Sequence, residues 1–282
     1  MCTVTLIPIH RTHGVGFRLV FSRDEQRERP DAVAPAWRRL ADGTRATWPT
    51  DAKAGGTWIA GSESGLVLCT LNANLEPAPA MPPSALLASR GEIIPALIAL
   101  PGVDAVASAL AGMDLNRFAP FRLLAVEPIR ADGATEPTRR ALIMSWDRVA
   151  LRVVEVGTGP LCLASSGLGD SKVLPRLALF RDLVMRAGGT SAAQDRFHRH
   201  AWPAMPEISV LMTRSDARTV SVTTVEVTPQ AGQGWNVDMA YLAVREASAA
   251  QRESARRAVG MVVDVDAFGE SVRSGVLRAP VE

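Results

Sequence analysis

The 282-residue chain carries 31 Lys plus Arg against 29 Asp plus Glu, and the resulting +2 gives no overall field to draw it to nucleic acid or an anionic membrane. With 47% hydrophobic and 21% charged positions it can bury a sizeable core, yet no apolar run reaches the ~18 residues that a membrane span requires. Cys2, Cys69 and Cys162 form no C-x-x-C and no paired framework, and the start of the chain lacks a secretory pattern, so a cytoplasmic protein without metal or integral membrane association is expected.

Thr3 to Ile9 alternates moderately, Phe17 to Phe21 is apolar and β-prone, and His13-Gly14-Val15-Gly16 supplies turn chemistry between them. A hairpin with Cys2 at one end follows. Antiparallel pairing brings the start of its first strand beside the end of its second, so Cys2 and the Arg23-Asp24 pair are predicted to be neighbours in space. From Arg27 to Gly56 the chain is polar and rich in Pro, a long connection with room for short strands. Gly55-Gly56 introduces a second hairpin, Thr57 to Ala60 and Leu66 to Leu71, whose latter strand is apolar enough for burial on both faces. Asn72 ends it.

Ser89-Arg90-Gly91-Glu92 has capping-box spacing ahead of an apolar helix, Ile93 to Leu100, and a second short helix is predicted over Val103 to Leu110. Three strands follow, Phe121 to Val126, Ala141 to Trp146 and Leu151 to Val156, with a shorter one at Cys162 to Ser165. The apolar stripe of Ser171 to Arg186 predicts a helix ended by Gly188-Gly189, and Gln194 to Trp202 a further one. Val210 to Thr213, Thr219 to Val227 and Val237 to Val244 read as strands, Ser248 to Ala258 as a polar helix, and the segment after Val265 as a variable tail. Strands before, between and after two helical blocks argue for a layered α+β domain spanning residues 1–282.

Taken singly, several groups have ordinary readings. Cys2 fits a terminal strand, Arg23-Asp24-Glu25 a solvated turn, and Cys69 and Cys162 inert core positions. Asn72 suits a turn cap or an amide donor. Arg214 can anchor a carboxylate or pair with Asp216. His198 and His200 point apart at helical i, i+2 spacing and do not share a ligand readily.

Together, Met1-Cys2, the stretch Ser22 to Pro30 with its Arg23-Asp24-Glu25, Gly55 to Asn74, Ser89 to Leu100 and Phe118 to Val126 resemble the NRDE family, also called the transport and Golgi organization family. Gly167-Leu168 and Met212-Thr213-Arg214 match it more thinly. That family is similar to N-terminal nucleophile hydrolases of the penicillin acylase and bile-salt hydrolase kind. The resemblance implies a four-layer αββα sandwich with Cys2 as nucleophile once Met1 is removed, Arg23 and Asp24 as the strand-end pair, Asn72 as amide oxygen binder and Arg214 as the late Arg. It implies no cofactor. Two positions depart from the pattern: Ser22 replaces an Asn and keeps a hydrogen-bonding group, while Asp170 stands where many relatives have Asn, and an ionised carboxylate cannot donate to an oxyanion. The implied activity is cleavage of a linear amide or acyl bond in a small-molecule substrate through a Cys2 acyl-enzyme. The alternative is a non-catalytic carrier of haem or acyl-lipid metabolites in the same pocket.

Overall fold

Both faces of the first hairpin are buried, because apolar and hydroxyl side chains alternate along strands that have no solvent side. The computed structural model describes residues 2–11, 14–129, 138–232 and 234–245, with the backbone of 276–278. The turn residue His13 and the polar helix expected over Ser248 to Ala258 lie outside these described residues. In chain order the strands are β1 (Cys2–Arg11), β2 (Gly14–Gln26), β3 (Val33–Arg39), β4 (Arg45–Thr50), β5 (Ile59–Ser62), β6 (Val67–Asn72), β7 (Phe121–Ile129), β8 (Thr138–Trp146), β9 (Leu151–Val156), β10 (Leu161–Ser165), β11 (Ala217–Pro229), β12 (Trp235–Ala243) and β13 (Val276–Arg278). The α-helices are α1 (Ile93–Leu97), α2 (Val103–Ala111), α3 (Leu174–Phe180) and α4 (Ser191–His198).

Two antiparallel sheets result, one ordered β10-β1-β2-β11-β12-β13 and the other β3-β4-β5-β6-β7-β8-β9. Their facing sides share a core in which Val4, Leu6, Phe17, Leu19 and Phe21 meet Ile59, Val67, Cys69, Leu71 and Leu124. The outer side of the second sheet is covered by α1 and α2 through Ile93, Ile94, Leu97, Val106 and Leu110. The outer side of the first is covered by the α3–α4 region, where Ile7 and Ile9 pack against Phe180, Val184 and Phe197. Helix, sheet, sheet and helix form the four-layer αββα sandwich that the resemblance implies, and no described helix is long and apolar enough to cross a membrane.

The polar connection 27–56 holds short strands, as expected: β3 at the sheet edge and β4, in which Ala46 to Pro49 are buried. Other elements differ from expectation. The stretch predicted as one helix from Ser171 divides into a 3-10 turn (Asp170–Val173), α3 and a π-helical turn (Arg181–Met185) before Gly188 and Gly189, both at positive φ, end it. The expected strand Val210 to Thr213 forms only a single bridge, Thr213 to Arg218. Its backbone is drawn instead to Thr219, whose Oγ1 accepts from Met212 N. In the expected tail, Val276–Arg278 pairs with β12.

Candidate functional site

Register fixes the first part of the site. Cys2 lies directly opposite Arg23 on β2 and Ser165 on β10, so the three side chains share one face of the sheet. That face is the inter-sheet one, because Val4 and Leu6, which alternate with Thr3 and Thr5, point into the core between the sheets. Cys2 is only 8% exposed. Burial pushes its thiol above the ordinary value and the Asp24 charge adds to this, while the Asp24 backbone N–H and the Arg23 charge pull the other way. The resting sulfur is therefore a thiol that needs a base.

Arg23 does not pair with Asp24 as their adjacency in sequence suggested. Consecutive strand residues point to opposite faces. The Arg23 guanidinium lies 4.2 Å above the Trp58 ring, donates to Asp51 Oδ2 at 2.6 Å and reaches Glu25 at 3.1 Å. Asp51 also takes Arg29 Nε at 2.9 Å and the backbone N–H groups of Lys53 and Ala54, and these cationic and amide donors hold its carboxyl below the usual range against the opposing effect of burial. Asp51 escaped the sequence reading, since nothing in a Pro-rich connection marks it.

Asp24 faces the helix layer. Its Oδ1 accepts from Thr219 Oγ1 at 2.6 Å, and Arg176 Nη1 lies 3.6 Å from Oδ2. Arg176, 1% exposed, also donates to Thr3 Oγ1 at 2.6 Å and to the carbonyl of Ile208. A bulge in β11 between Thr219 and Ser221 makes this possible. It lets Thr219 face Asp24 while Ser221, opposite Arg23, faces inward. Further along the same face His198 lies 2.7 Å from both Thr5 Oγ1 and Ser22 Oγ, and Gln194 bridges Thr5 and Arg18. Burial together with Arg18 and Arg176 drives His198 down to about 3, so it is a neutral core histidine. Ser22 uses the hydrogen-bonding capacity expected of it there.

The second sheet supplies the opposite wall through a contact between two of the sequence motifs. A Cβ on Gly56 would stand 2.6 Å from the Gly91 carbonyl, and Thr57 N donates to that carbonyl at 3.0 Å. Only glycines allow backbones this close. Arg90 donates to the carbonyl of Pro120, which also receives Ala73 N, and no described carboxylate pairs with it. Burial lowers the Arg90 guanidinium, while Cys2 and Glu25 act in the opposite direction. Cys69 is buried in the wall, its thiol raised by burial and then by Cys2.

The remaining predicted residues are placed elsewhere. Asn72 pairs with Phe121, a member of the helix-covered core, so the pleat turns both to that face while Leu71 faces the inter-sheet space. Asp170 is saturated as an acceptor, taking Arg122 Nη1 at 2.7 Å, Ser166 N at 3.0 Å, Asn74 N at 3.2 Å and Asn74 Nδ2 at 3.3 Å. Arg214 pairs with Asp216 in the turn before β11. Among the described residues no group of three or more His, Cys, Asp or Glu is arranged to hold a metal ion.

The four-layer αββα sandwich is the fold of the N-terminal nucleophile hydrolase type, and here Cys2 opens β1, next to the edge strand β10. The N-acylethanolamine-hydrolyzing acid amidase ortholog of Caenorhabditis elegans shares the fold with a TM-score of 0.50 at 12% identity, over 79% of this chain and 92% of that one. Two variants of conjugated bile acid hydrolase from Clostridium perfringens give 0.42 at 10% and 0.41 at 11% identity, each over 83% of this chain and 91% of the other. No curated protein matches in sequence. Residues 1–191 match the sequence model of Transport and Golgi organisation 2, and the chain belongs to that family.

Proposed function

We propose that the protein is an N-terminal cysteine hydrolase acting on a linear amide or related acyl bond of a small molecule. The observation that carries this reading is the register of the first hairpin. Cys2 stands opposite Arg23, and Asp24 is the next residue of β2. Removal of Met1 frees the Cys2 α-amine at that end of the strand, within reach of the buried Asp24 carboxylate. In the proposed reaction the Cys2 sulfur attacks the carbonyl carbon and its proton passes to the α-amine, which is suited to the task by an ordinary pKa of about 7.7–8.0. The tetrahedral intermediate expels the leaving amine, which takes that proton, and water releases the acyl group from the thioester. Asp24 holds the terminal ammonium, and Arg23, fixed by Asp51 and Trp58, favours negative charge at the sulfur.

The test is intact-mass analysis before and after an acyl electrophile, combined with turnover of a panel of N-acyl amides. Expected are loss of Met1, one acyl adduct on Cys2, and a fall in turnover of at least about 10³-fold in Cys2→Ser. Turnover unaltered in Cys2→Ser, or a mature chain that keeps Met1, overturns the mechanism.

A second reading has one observation in its favour. With Asp170 engaged only as an acceptor, the position that carries Asn in many relatives offers no donor to an oxyanion, which suits a carrier of haem or an acyl-lipid metabolite. Stoichiometric retention of such a ligand with no product, unaffected by Cys2→Ser, distinguishes it.

A further inference from the structure

The last residue of β10 stands beside the nucleophile. Ser165 is opposite Cys2 in antiparallel register, so their Cβ atoms are neighbours on one face, about 4.5–5.5 Å apart. Ser165 is 0% exposed, and its Oγ has no hydrogen-bond partner among the described residues. Buried hydroxyls are ordinarily bonded, and the next residue shows the usual pattern: Ser166 Oγ accepts from Leu168 N and Ser166 N donates to Asp170. An unsatisfied donor beside a candidate nucleophile is the arrangement that oxyanion stabilisation requires, since a fixed dipole in a dry site acts on charge that appears only during reaction. The two side chains that the family resemblance offers for this task do not meet the requirement. Asn72 shares the face of Phe121, away from the inter-sheet space, and Asp170 is occupied as an acceptor.

We propose that Ser165 Oγ is a catalytic oxyanion donor, its hydroxyl hydrogen pointing at the carbonyl oxygen of an acyl group under attack by Cys2. The role rests on the acyl-transfer reading of Cys2. As the carbon becomes tetrahedral, its C=O electron pair moves onto oxygen, and the Ser165 hydrogen bond strengthens. When the intermediate collapses the pair returns, the leaving group departs with the bonding electrons, and Ser165 keeps its proton throughout.

Two reagents separate this role from a structural one. With p-nitrophenyl acetate the sulfur attacks a carbonyl carbon, an oxyanion forms, and p-nitrophenolate leaves an acetyl thioester on Cys2. With iodoacetamide the sulfur displaces iodide at a saturated carbon and no oxyanion arises. Rates at Cys2 are read by peptide mass for the full chain. Ser165→Ala is expected to slow acetylation about tenfold or more while leaving alkylation within about twofold, and Ser165→Thr to restore most of the acetylation. If the Ala variant does not fold, Ser165→Cys, of similar shape with a weaker donor, gives the same contrast. Parallel loss in both reactions, or no loss in either, overturns the role of Ser165 alone. Wild-type Cys2 that resists acetylation overturns both this role and the acyl-transfer reading.

Discussion

On the helix-covered face of the β1–β2 hairpin, Thr3, Thr5, Arg18, Ser22 and Asp24 are bonded to groups from α3, α4 and β11: Thr3 to Arg176, Thr5 and Ser22 to His198, Arg18 to Gln194, and Asp24 to Thr219. On the opposite face, Val4, Leu6, Phe17, Leu19 and Phe21 are apolar, and polarity returns only at the end, at Cys2 and Arg23 with Ser165 beside them. Both faces are buried, so burial alone does not separate structure from chemistry. The difference is satisfaction: polar groups on the helix side answer one another, whereas the inner end keeps a buried thiol and a hydroxyl without a partner among the described residues, beside an arginine held by Asp51. Substitutions on the helix side should therefore cost folding, and those at the inner end should cost reactivity.

The largest expected effect is at His198. Its folded value near 3 lies below its ordinary 6.5, so the unfolded chain binds a proton that the folded chain refuses. Its contribution is complete above pH 6.5 and is lost progressively as the pH falls toward 3, on the order of 4–5 kcal/mol if the whole shift is expressed. Urea unfolding from pH 7 to 4.5 should show wild type losing stability faster than His198→Gln, which can still bond Ser22 and Thr5. Equal slopes refute this account of the histidine.

Arg176→Met comes next. It takes the Arg176 charge from the buried Asp24 carboxylate and strips Thr3 Oγ1 of a donor, which should cost about 3–5 kcal/mol at neutral pH. A urea midpoint unchanged within error would show that Asp24 does not depend on that charge. Gly56→Ala tests the wall instead. Its methyl group would stand 2.6 Å from the Gly91 carbonyl, so the two motifs must part, at roughly 1–3 kcal/mol, with a shift in Trp58 fluorescence relative to Gly157→Ala, which meets nothing within 4 Å.

The sequence carried this contrast unevenly. Strand pairing of Cys2 with Arg23 was legible because alternation and a glycine turn set register locally, and all four layers followed from the family blocks. Alternation itself puts the consecutive residues Arg23 and Asp24 on opposite sides of a sheet; what it could not show was that a bulge in β11 would bring Thr219 to Asp24 and Ser221 to Arg23. Asp51 and Arg176 were hidden for a related reason. Each lies in a stretch whose pattern speaks only of loop or helix, and each acquires its partner from strands distant in sequence. Ser165 looked like the end of a short apolar strand, and only the pairing of β10 with β1 places it beside a thiol.

The smallest effect sharpens the inner half of the contrast. Arg90 donates to a carbonyl and pairs with no described carboxylate, and its charge and the buried Cys2 thiol act on one another. Alkylation of Cys2 should accelerate with pH beyond the ordinary thiol value of 9.0, because only the thiolate reacts. At any one pH, iodoacetate carries a charge that iodoacetamide lacks, and a guanidinium with no carboxylate partner that acts on the sulfur favours the charged reagent. Arg90→Gln should lower the iodoacetate-to-iodoacetamide rate ratio at Cys2 about threefold to fivefold, with Arg90→Lys retaining most of it and the urea midpoint moving little. The reagents have nearly the same shape, so a change in access alters both rates and leaves the ratio untouched. A ratio unmoved by Arg90→Gln would mean that Arg23 alone sets the field at the thiol, and that the close contact of Gly56 with Gly91 serves packing and not charge.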